Sequence, residues 1–393
     1  MVKILNFVAV MAKVTIIGAG AAGCFCAAVL HALDASVEIH LLEAGPRPMA
    51  KLAITGGGRC NLSNDFSGVQ NLADVYPRGH RFMKRALRSF GSGDVCRWFS
   101  ERGVRLKTED GGRIFPVSDN ALEIVDTIAS ALDGVKIECN KRVSSLEDYD
   151  TDFIVVTTGG GKGMEILKGI DVSVEPAVPS LFSFTVKDSI CDLQGISAPV
   201  QLMIPSTSFR SEGPLLITDW GFSGPAVLRL SSYAARHLAQ VGYSSSLIVN
   251  WLGNNEQSAR LMLEDLQRHN PQKLLGSVHP LPSRLWDYLV EKAGIPPERR
   301  WAELGSKGLN RLVATLISDS YQISGKTRFK DEFVTCGGVP LSAVEASTLE
   351  CKAHPGLYFA GEVLDIDAVT GGFNLQAAWT TAYIVAHSIF DKL

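Results

Sequence analysis

The chain has no Cys-x-x-Cys pair, no long apolar run and no excess of one charge sign, and each absence removes an explanation. Its 8 cysteines are scattered; Cys24 and Cys26 sit inside an expected helix, where their side chains diverge. A dithiol redox centre and a zinc ribbon are thereby excluded. Cysteines this sparse in 393 residues read as reduced thiols of a cytoplasmic protein, not as a disulfide scaffold. The 8 histidines show no metal-type spacing to Cys or Asp, so no metal is expected. No apolar run approaches the roughly 18 residues of a membrane span. With 38 basic and 41 acidic residues, the net charge of -3 offers no footprint for nucleic acid or an anionic membrane, and neither is expected as a partner. Lys3 followed by the apolar run Ile4–Ala12 is similar to a signal peptide, but cleavage there would leave the first core strand at a raw terminus. The expectation is a short extension ahead of Met11, itself a possible start.

What is present is a long chain, 46% hydrophobic, whose length calls for two or three domains. Val14–Ile17, Ala21–Leu33 and Val37–Leu42 read as strand, buried helix and strand, a βαβ unit. Residues 71–132 look largely helical, with a polar turn at Glu109–Arg113 and a break at Phe115–Pro116. Val135–Cys139 and Phe153–Thr157 are further strand candidates. Beyond Pro176 the pattern becomes short β-like runs, interrupted by a helix over Pro225–Ala239, and then helical periodicity as in Ala259–Arg268 and Arg284–Lys292. Phe333–Val339 and His354–Glu362 return to strand-like sequence before a long apolar helix, Phe373–Lys392. The expected fold class is α/β: a two-ended Rossmann-type domain (1–180 and 337–393) with an inserted β-barrel-like domain (181–253, return strand 321–336) and a helical subdomain (254–320).

The first chemical motif is Gly18-Ala19-Gly20-Ala21-Ala22-Gly23, directly after a strand and opening a helix. Gly18 permits the tight turn, Gly20 lets a pyrophosphate approach the backbone, and Gly23 lets the helix pack on the strand. The free N–H groups and positive dipole of the helix start then face phosphates. Glu43, 20 residues past Gly23 and followed by Ala44, suits ribose hydroxyls. This motif alone does not separate FAD from NAD. The far end of the chain does: Gly361-Glu362 closes a strand, and Gly371-Gly372 precede the helix that opens with Phe373, Asn374 and Leu375. Helix N–H groups there suit the negative charge that reduction places on a flavin pyrimidine edge.

Thr55-Gly56-Gly57-Gly58-Arg59-Cys60-Asn61 spends backbone entropy on three glycines, which suits close approach to a ligand. Arg59 could pair with the pyrophosphate. Cys60 is either cofactor-proximal or a small buried thiol, and Lys51 either offsets phosphate charge or is simply solvated. Thr158 and Gly159 end another strand close to the nucleotide. Asp365 and Asp367 either relay a proton or shape the loop before the last helix.

Together these motifs resemble the HI0933-like flavoproteins, the aminoacetone oxidase or YhiN/BaiN-type family. The resemblance runs from Val14 over nearly the full chain and is most specific in Thr55–Asn61 and Gly361–Gln376, supported by Glu109–Asp119, Asp219–Arg229 and Thr335–Pro340. It implies an FAD-binding domain with an inserted β-barrel and helical subdomain. It also implies FAD contacts at Gly18 to Gly23, Glu43, Arg59 to Asn61 and Phe373 to Leu375, with Val143, in a strand-like segment, giving backbone contacts to adenine. Where such proteins continue with a Ser-Tyr-Pro stretch, this chain reads Thr157-Thr158-Gly159-Gly160-Gly161-Lys162-Gly163-Met164 and is shortened before Val174. The substrate is therefore not carried over by analogy.

The expected activity is an FAD-dependent oxidoreductase working through flavin N5, with the insert forming one wall of its active site and no catalytic side chain assigned. A small-molecule substrate and an electron acceptor are the expected partners. No second G-x-G-x-x-G unit is present, so NAD(P)H, if it is the donor, docks transiently. The alternatives are a flavin-dependent RNA-modifying enzyme, an FAD-binding sensor and a flavin-free NAD-binding protein.

Overall fold

A computed structural model describes residues 11–326 and 334–393, so residues 1–10, including most of the apolar run, lie outside it, as does Phe333. The chain divides into two units, Met1–Val178 with Val334–Leu393, and Pro179–Phe333.

The first unit begins with β1 (Lys13–Ile17), whose residues from Val14 onward are all buried, as a central strand requires. Helix α1 (Ala21–Leu33) is buried from Ala22 to Leu30, which explains its lack of a polar face. Strand β2 (Glu38–Leu42) runs parallel to β1. Then follow β3 (Ser63–Asn64), α2 (His80–Ser89), α3 (Ser92–Ser100), β4 (Leu106–Glu109), β5 (Arg113–Pro116), α4 (Ala121–Ser130), β6 (Lys136–Glu138), β7 (Phe153–Val156) and β8 (Glu175–Ser180). The sequence from 71 to 132 reads as largely helical, yet residues 106–116 form an antiparallel hairpin that pairs onward with β3. Gly111 and Gly112, at φ 74° and 73°, supply the left-handed turn that makes the hairpin possible. Residues 161–169, in the shortened segment, form 3-10 helical turns.

The second unit contains β9 (Phe184–Val186), β10 (Ser197–Met203), β11 (Arg210–Thr218), β12 (Gly221–Ser223), α5 (Pro225–Tyr233), α6 (Ala235–Gln240), β13 (Ser245–Asn250), α7 (Glu256–His269), α8 (Ser283–Lys292), α9 (Gly305–Ile317) and β14 (Asp319–Lys326). Its six strands close into a barrel in the order β10-β11-β12-β9-β14-β13. The alternating burial along β10 is that of a strand with one face in a core. The helix expected over 225–239 breaks at Ala234, whose backbone leaves the helical region. The return strand starts at Asp319 and seals the barrel between β13 and β9.

The chain re-enters the first unit through β15 (Val334–Gly338), β16 (Leu357–Phe359) and α10 (Phe373–Phe390). The parallel sheet has the order β16-β7-β1-β2-β6. Gly18, Glu43, Thr157–Gly159 and Gly361 thus all follow the carboxyl ends of parallel strands, the edge at which such sheets bind ligands. No helix among the described residues is long and apolar enough to cross a membrane.

Candidate flavin site

Three glycines build the start of α1 by three different steric rules. Gly18 has φ +104°, and a Cβ there would lie 2.6 Å from the Thr157 carbonyl oxygen. A Cβ on Gly23 would lie 2.0 Å from the Gly18 carbonyl oxygen. Gly20 is the reverse case: nothing lies within 4 Å of its Cβ position, so its face is open to a ligand. The first helical bond of α1 runs from Cys24 N–H to Gly20 C=O, and no side chain caps the helix. The N–H groups of Ala21, Ala22 and Gly23 therefore point into that open face without a helical partner.

Glu43 is tied into the same corner. One carboxylate oxygen accepts from Ala19 N–H at 3.0 Å and the other from Gly45 N–H at 2.7 Å. Each oxygen keeps a second lone pair for a ribose hydroxyl. Ala44 is exposed beside it, and Lys141 N–H donates to the Glu43 carbonyl at 2.8 Å. Val143 follows that segment, half-buried and outside any strand; β6 already ends at Glu138.

The strand ends β7 and β16 complete the cradle. Thr157 Oγ1 donates to the carbonyls of Ile17 and Gly18, at 3.1 and 2.7 Å, and locks β7 to the glycine turn. The next residue, Thr158, has a buried Oγ1 with no protein partner. Gly361 (φ +76°) comes so close to α1 that a Cβ would meet the Ala22 side chain at 2.8 Å. Glu362 accepts from Thr335 N–H at 2.6 Å, and burial raises its carboxyl above the ordinary value, against the opposing pull of that N–H and of Lys51. Lys51 itself is exposed, and Gly159 lies 3.8 Å from Glu362 measured at its Cβ position.

The glycine-rich loop does two things. Gly56, Gly57 and Gly58 all adopt positive φ, and nothing lies within 4 Å of the Cβ positions of Gly57 and Gly58. Arg59, expected at the pyrophosphate, is instead held by the carboxylates of Glu109 and Asp119 and lies 4.3 Å over the Phe115 ring. Cys60 is fully buried, and burial pushes its thiol up to about 12, so it is a packed thiol and not a thiolate.

The start of α10 is held by a polar network that the motifs do not announce. The Asn61 amide donates to Ser63 C=O at 3.2 Å and accepts from Gly372 N–H at 3.1 Å. Asn64, buried, donates to Gly111 C=O at 2.9 Å and Gly371 C=O at 3.0 Å. Ser63 Oγ donates to Gln376 Oε1 at 2.5 Å. Asn374 closes the preceding loop with two bonds to the Ala368 backbone, at 2.9 and 3.0 Å. Tyr76 donates to the Phe373 carbonyl at 2.8 Å. Asp367, completely buried, forms a two-point ion pair with Arg78, which settles its role as a loop anchor. Gln376 N–H makes the first helical bond, to Gly372 C=O, leaving the N–H groups of Phe373, Asn374 and Leu375 without helical partners. Ser63, Asn64, Arg78 and Gln376 escaped the sequence reading; only the Leu62-Ser63-Asn64 continuation after Asn61 hinted at them.

These features fit FAD. An open glycine face over one uncapped helix start, an orphaned Thr158 hydroxyl and a second uncapped helix start give places for phosphates, a polar linker and a flavin ring edge. No group of His, Cys, Asp and Glu among the described residues could hold a metal.

The HI0933-like protein Rossmann domain pattern matches residues 12–388. The chain is 31% identical over 405 residues to a ribosomal RNA dihydrouridine synthase of Escherichia coli (strain K12), covering 95% of this chain and 97% of that protein. It is 30% identical over 408 residues to the ribosomal RNA dihydrouridine synthase of Haemophilus influenzae, with 95% and 97% covered. It is 26% identical over 415 residues to a 3-dehydro-bile acid delta(4,6)-reductase of Clostridium scindens, with 97% and 100% covered. The chain belongs to the HI0933-like family.

Proposed function

We propose that this protein saturates a carbon–carbon double bond conjugated to a carbonyl, with the uracil ring of an RNA as its substrate. The observation that carries the redox half is the uncapped start of α10, whose three free N–H groups follow two positive-φ glycines. Such a terminus stabilises negative charge on a ring edge placed against it. The substrate half rests on chemistry shared by the relatives' names. Dihydrouridine is uridine saturated beside a carbonyl, and a delta(4,6)-reductase acts on ring double bonds.

The N–H groups of Ala21, Ala22 and Gly23 would hold the FAD pyrophosphate, Glu43 the ribose, Thr158 and Glu362 the linker, and the α10 start the pyrimidine edge. Bound there, FAD supplies two-electron hydride chemistry. The chain's own part is orientation and electrostatics: Asn61, Asn64 and the Arg78–Asp367 pair fix the α10 terminus in place before substrate arrives. Saturation of the double bond adds a hydride to the carbon β to the carbonyl and a proton to the α carbon. If NAD(P)H is the electron donor, it docks transiently, because the sequence carries one dinucleotide-binding motif.

The test is anaerobic. Purified holoprotein is mixed with NADH or NADPH while flavin absorbance is followed, then with a uridine-containing RNA or a small cyclic dienone. Digested RNA should contain uridine heavier by two hydrogens. Reoxidation by the dienone alone would overturn the RNA substrate and keep the double-bond chemistry. Failure of the apoprotein to take up FAD would overturn the whole reading.

A further inference from the structure

A net charge of -3 conceals a strongly basic stretch: residues 75–107 carry nine Arg or Lys against two acids, Asp94 and Glu101. Its densest part is α2, His80–Ser89, which contains no acid. Arg81, Lys84, Arg85 and Arg88 are all exposed. At about 100° per residue, spacings of three, four and seven place them on one face, in a stripe roughly 10 Å long. Phe82, Met83 and Ala86 occupy the opposite face and are buried.

Several cations on other helices are partnered within their own helix: Arg97 by Asp94, Arg260 by Glu256, Arg268 by Asp265. Among the described residues, the four on α2 have no acidic partner. They repel one another at i,i+3 and i,i+4, and Arg81 sits in the first turn, where the helix dipole disfavours a cation. The arrangement is therefore unfavourable in isolation and is relieved by closely spaced anions. A phosphodiester backbone supplies these.

The position of α2 gives the stripe a purpose. Arg78, two residues before the helix, pairs with Asp367, and a Cβ on Gly79 would lie 2.9 Å from the Ile366 side chain. The helix is thus clamped to the loop that leads into the start of α10.

We propose that the Arg81–Lys84–Arg85–Arg88 face of α2 binds consecutive phosphates of the RNA strand and holds it beside the 363–372 loop. This rests on the RNA reading above and adds the surface that recognises it. The face meets only the RNA backbone, so it contributes affinity and register but no base preference.

The experiment compares holoprotein with the R81Q/K84Q/R85Q/R88Q variant and, in case that variant folds poorly, with K84Q/R88Q; glutamine keeps helix propensity. The probe is a fluorescein-labelled 30-nucleotide uridine-containing RNA hairpin, titrated by anisotropy at several salt concentrations. Bound-flavin absorbance reports the fold independently. Each phosphate that is no longer neutralised lowers the slope of log affinity against log salt by about 0.9, so the fourfold variant should lose about 3–4 of slope and on the order of 100-fold in affinity, with its flavin content unchanged. Unchanged slope and affinity in the flavin-loaded variants overturn the surface, even if RNA is still reduced. Absence of RNA binding by the parent protein overturns the surface together with the RNA substrate. Binding through α2 with no reduced uridine leaves the surface standing and overturns the substrate. Equal α2-dependent binding of vesicles containing phosphatidylserine overturns the assignment to RNA.

Discussion

Two helix starts converge on the proposed flavin site, and they are built by opposite means. At α1 the work is done by missing side chains: Gly18 and Gly23 let three backbone segments touch, and Gly20 leaves a hole. At α10 it is done by side chains that are present: Asn61, Ser63, Asn64 and Tyr76 hold Gly371 to Gln376, and Arg78 holds Asp367 in the loop before them. The first design rests on steric room and leaves its free backbone N–H groups to a ligand. The second works only when every partner is in place, because a half-satisfied buried network is worse than none.

The largest effect should come from breaking the second design at its charged anchor. Arg78→Met leaves the Asp367 carboxylate, which is fully buried, without its guanidinium, and should cost about 3–5 kcal/mol in urea unfolding of the apoprotein. Arg78→Met/Asp367→Leu should recover most of that loss. A single-variant cost under about 1 kcal/mol would mean that the α10 start does not depend on this pair. Next comes Gly23→Ala in the first design. Its added Cβ would stand 2.0 Å from the Gly18 carbonyl oxygen, so α1 must move off β1, at about 1–3 kcal/mol. Equal melting temperatures for Gly23→Ala and wild type would show that the helix is not wedged there.

The contrast also explains what the sequence made visible. The α1 turn obeys a short-range rule, so Gly18, Gly20, Gly23 and Glu43 could be placed from their spacing alone. The two-ended Rossmann organisation was legible for a similar reason, through apolar strand runs and the Gly361-Glu362 strand end. The hairpin at 106–116 was missed because its strands are only four residues each and the polar turn between them reads as a break between helices. Arg59 was read toward phosphates because its carboxylate partners, Glu109 and Asp119, are 50 and 60 residues off. The polar network was invisible for the same cause: the Ser63–Gln376 bond spans 313 residues.

Asn64→Ala removes one network member without adding charge. It strands the carbonyls of Gly111 and Gly371 and the N–H of Phe66, and should cost about 1–3 kcal/mol. Glu362→Gln acts through pH. Burial raises the Glu362 carboxyl, so its contribution is fully present below its unfolded value and is lost as pH rises through the folded one. The apoprotein melting temperature of Glu362→Gln relative to wild type should therefore rise from acid toward neutral pH, and parallel curves would refute the burial effect.

Gly20→Ala should have the smallest effect on folding and the most selective effect on the cofactor. Gly20 has φ -80°, which alanine adopts freely, and nothing stands within 4 Å of the new methyl group. Apoprotein stability should stay within about 0.5 kcal/mol, since the smaller conformational entropy of the unfolded alanine chain favours the variant slightly. The methyl group would occupy the space where a pyrophosphate meets the helix N–H groups, so FAD affinity should fall at least about tenfold, or 1.4 kcal/mol. Fluorescence titration of apoprotein with FAD, beside a thermal melt, reads both quantities. Unaltered FAD affinity would place the pyrophosphate elsewhere. Gly23→Ala cannot distinguish these cases, because its methyl group disturbs fold and cofactor at once. Only the open glycine separates what holds the helix from what the helix holds.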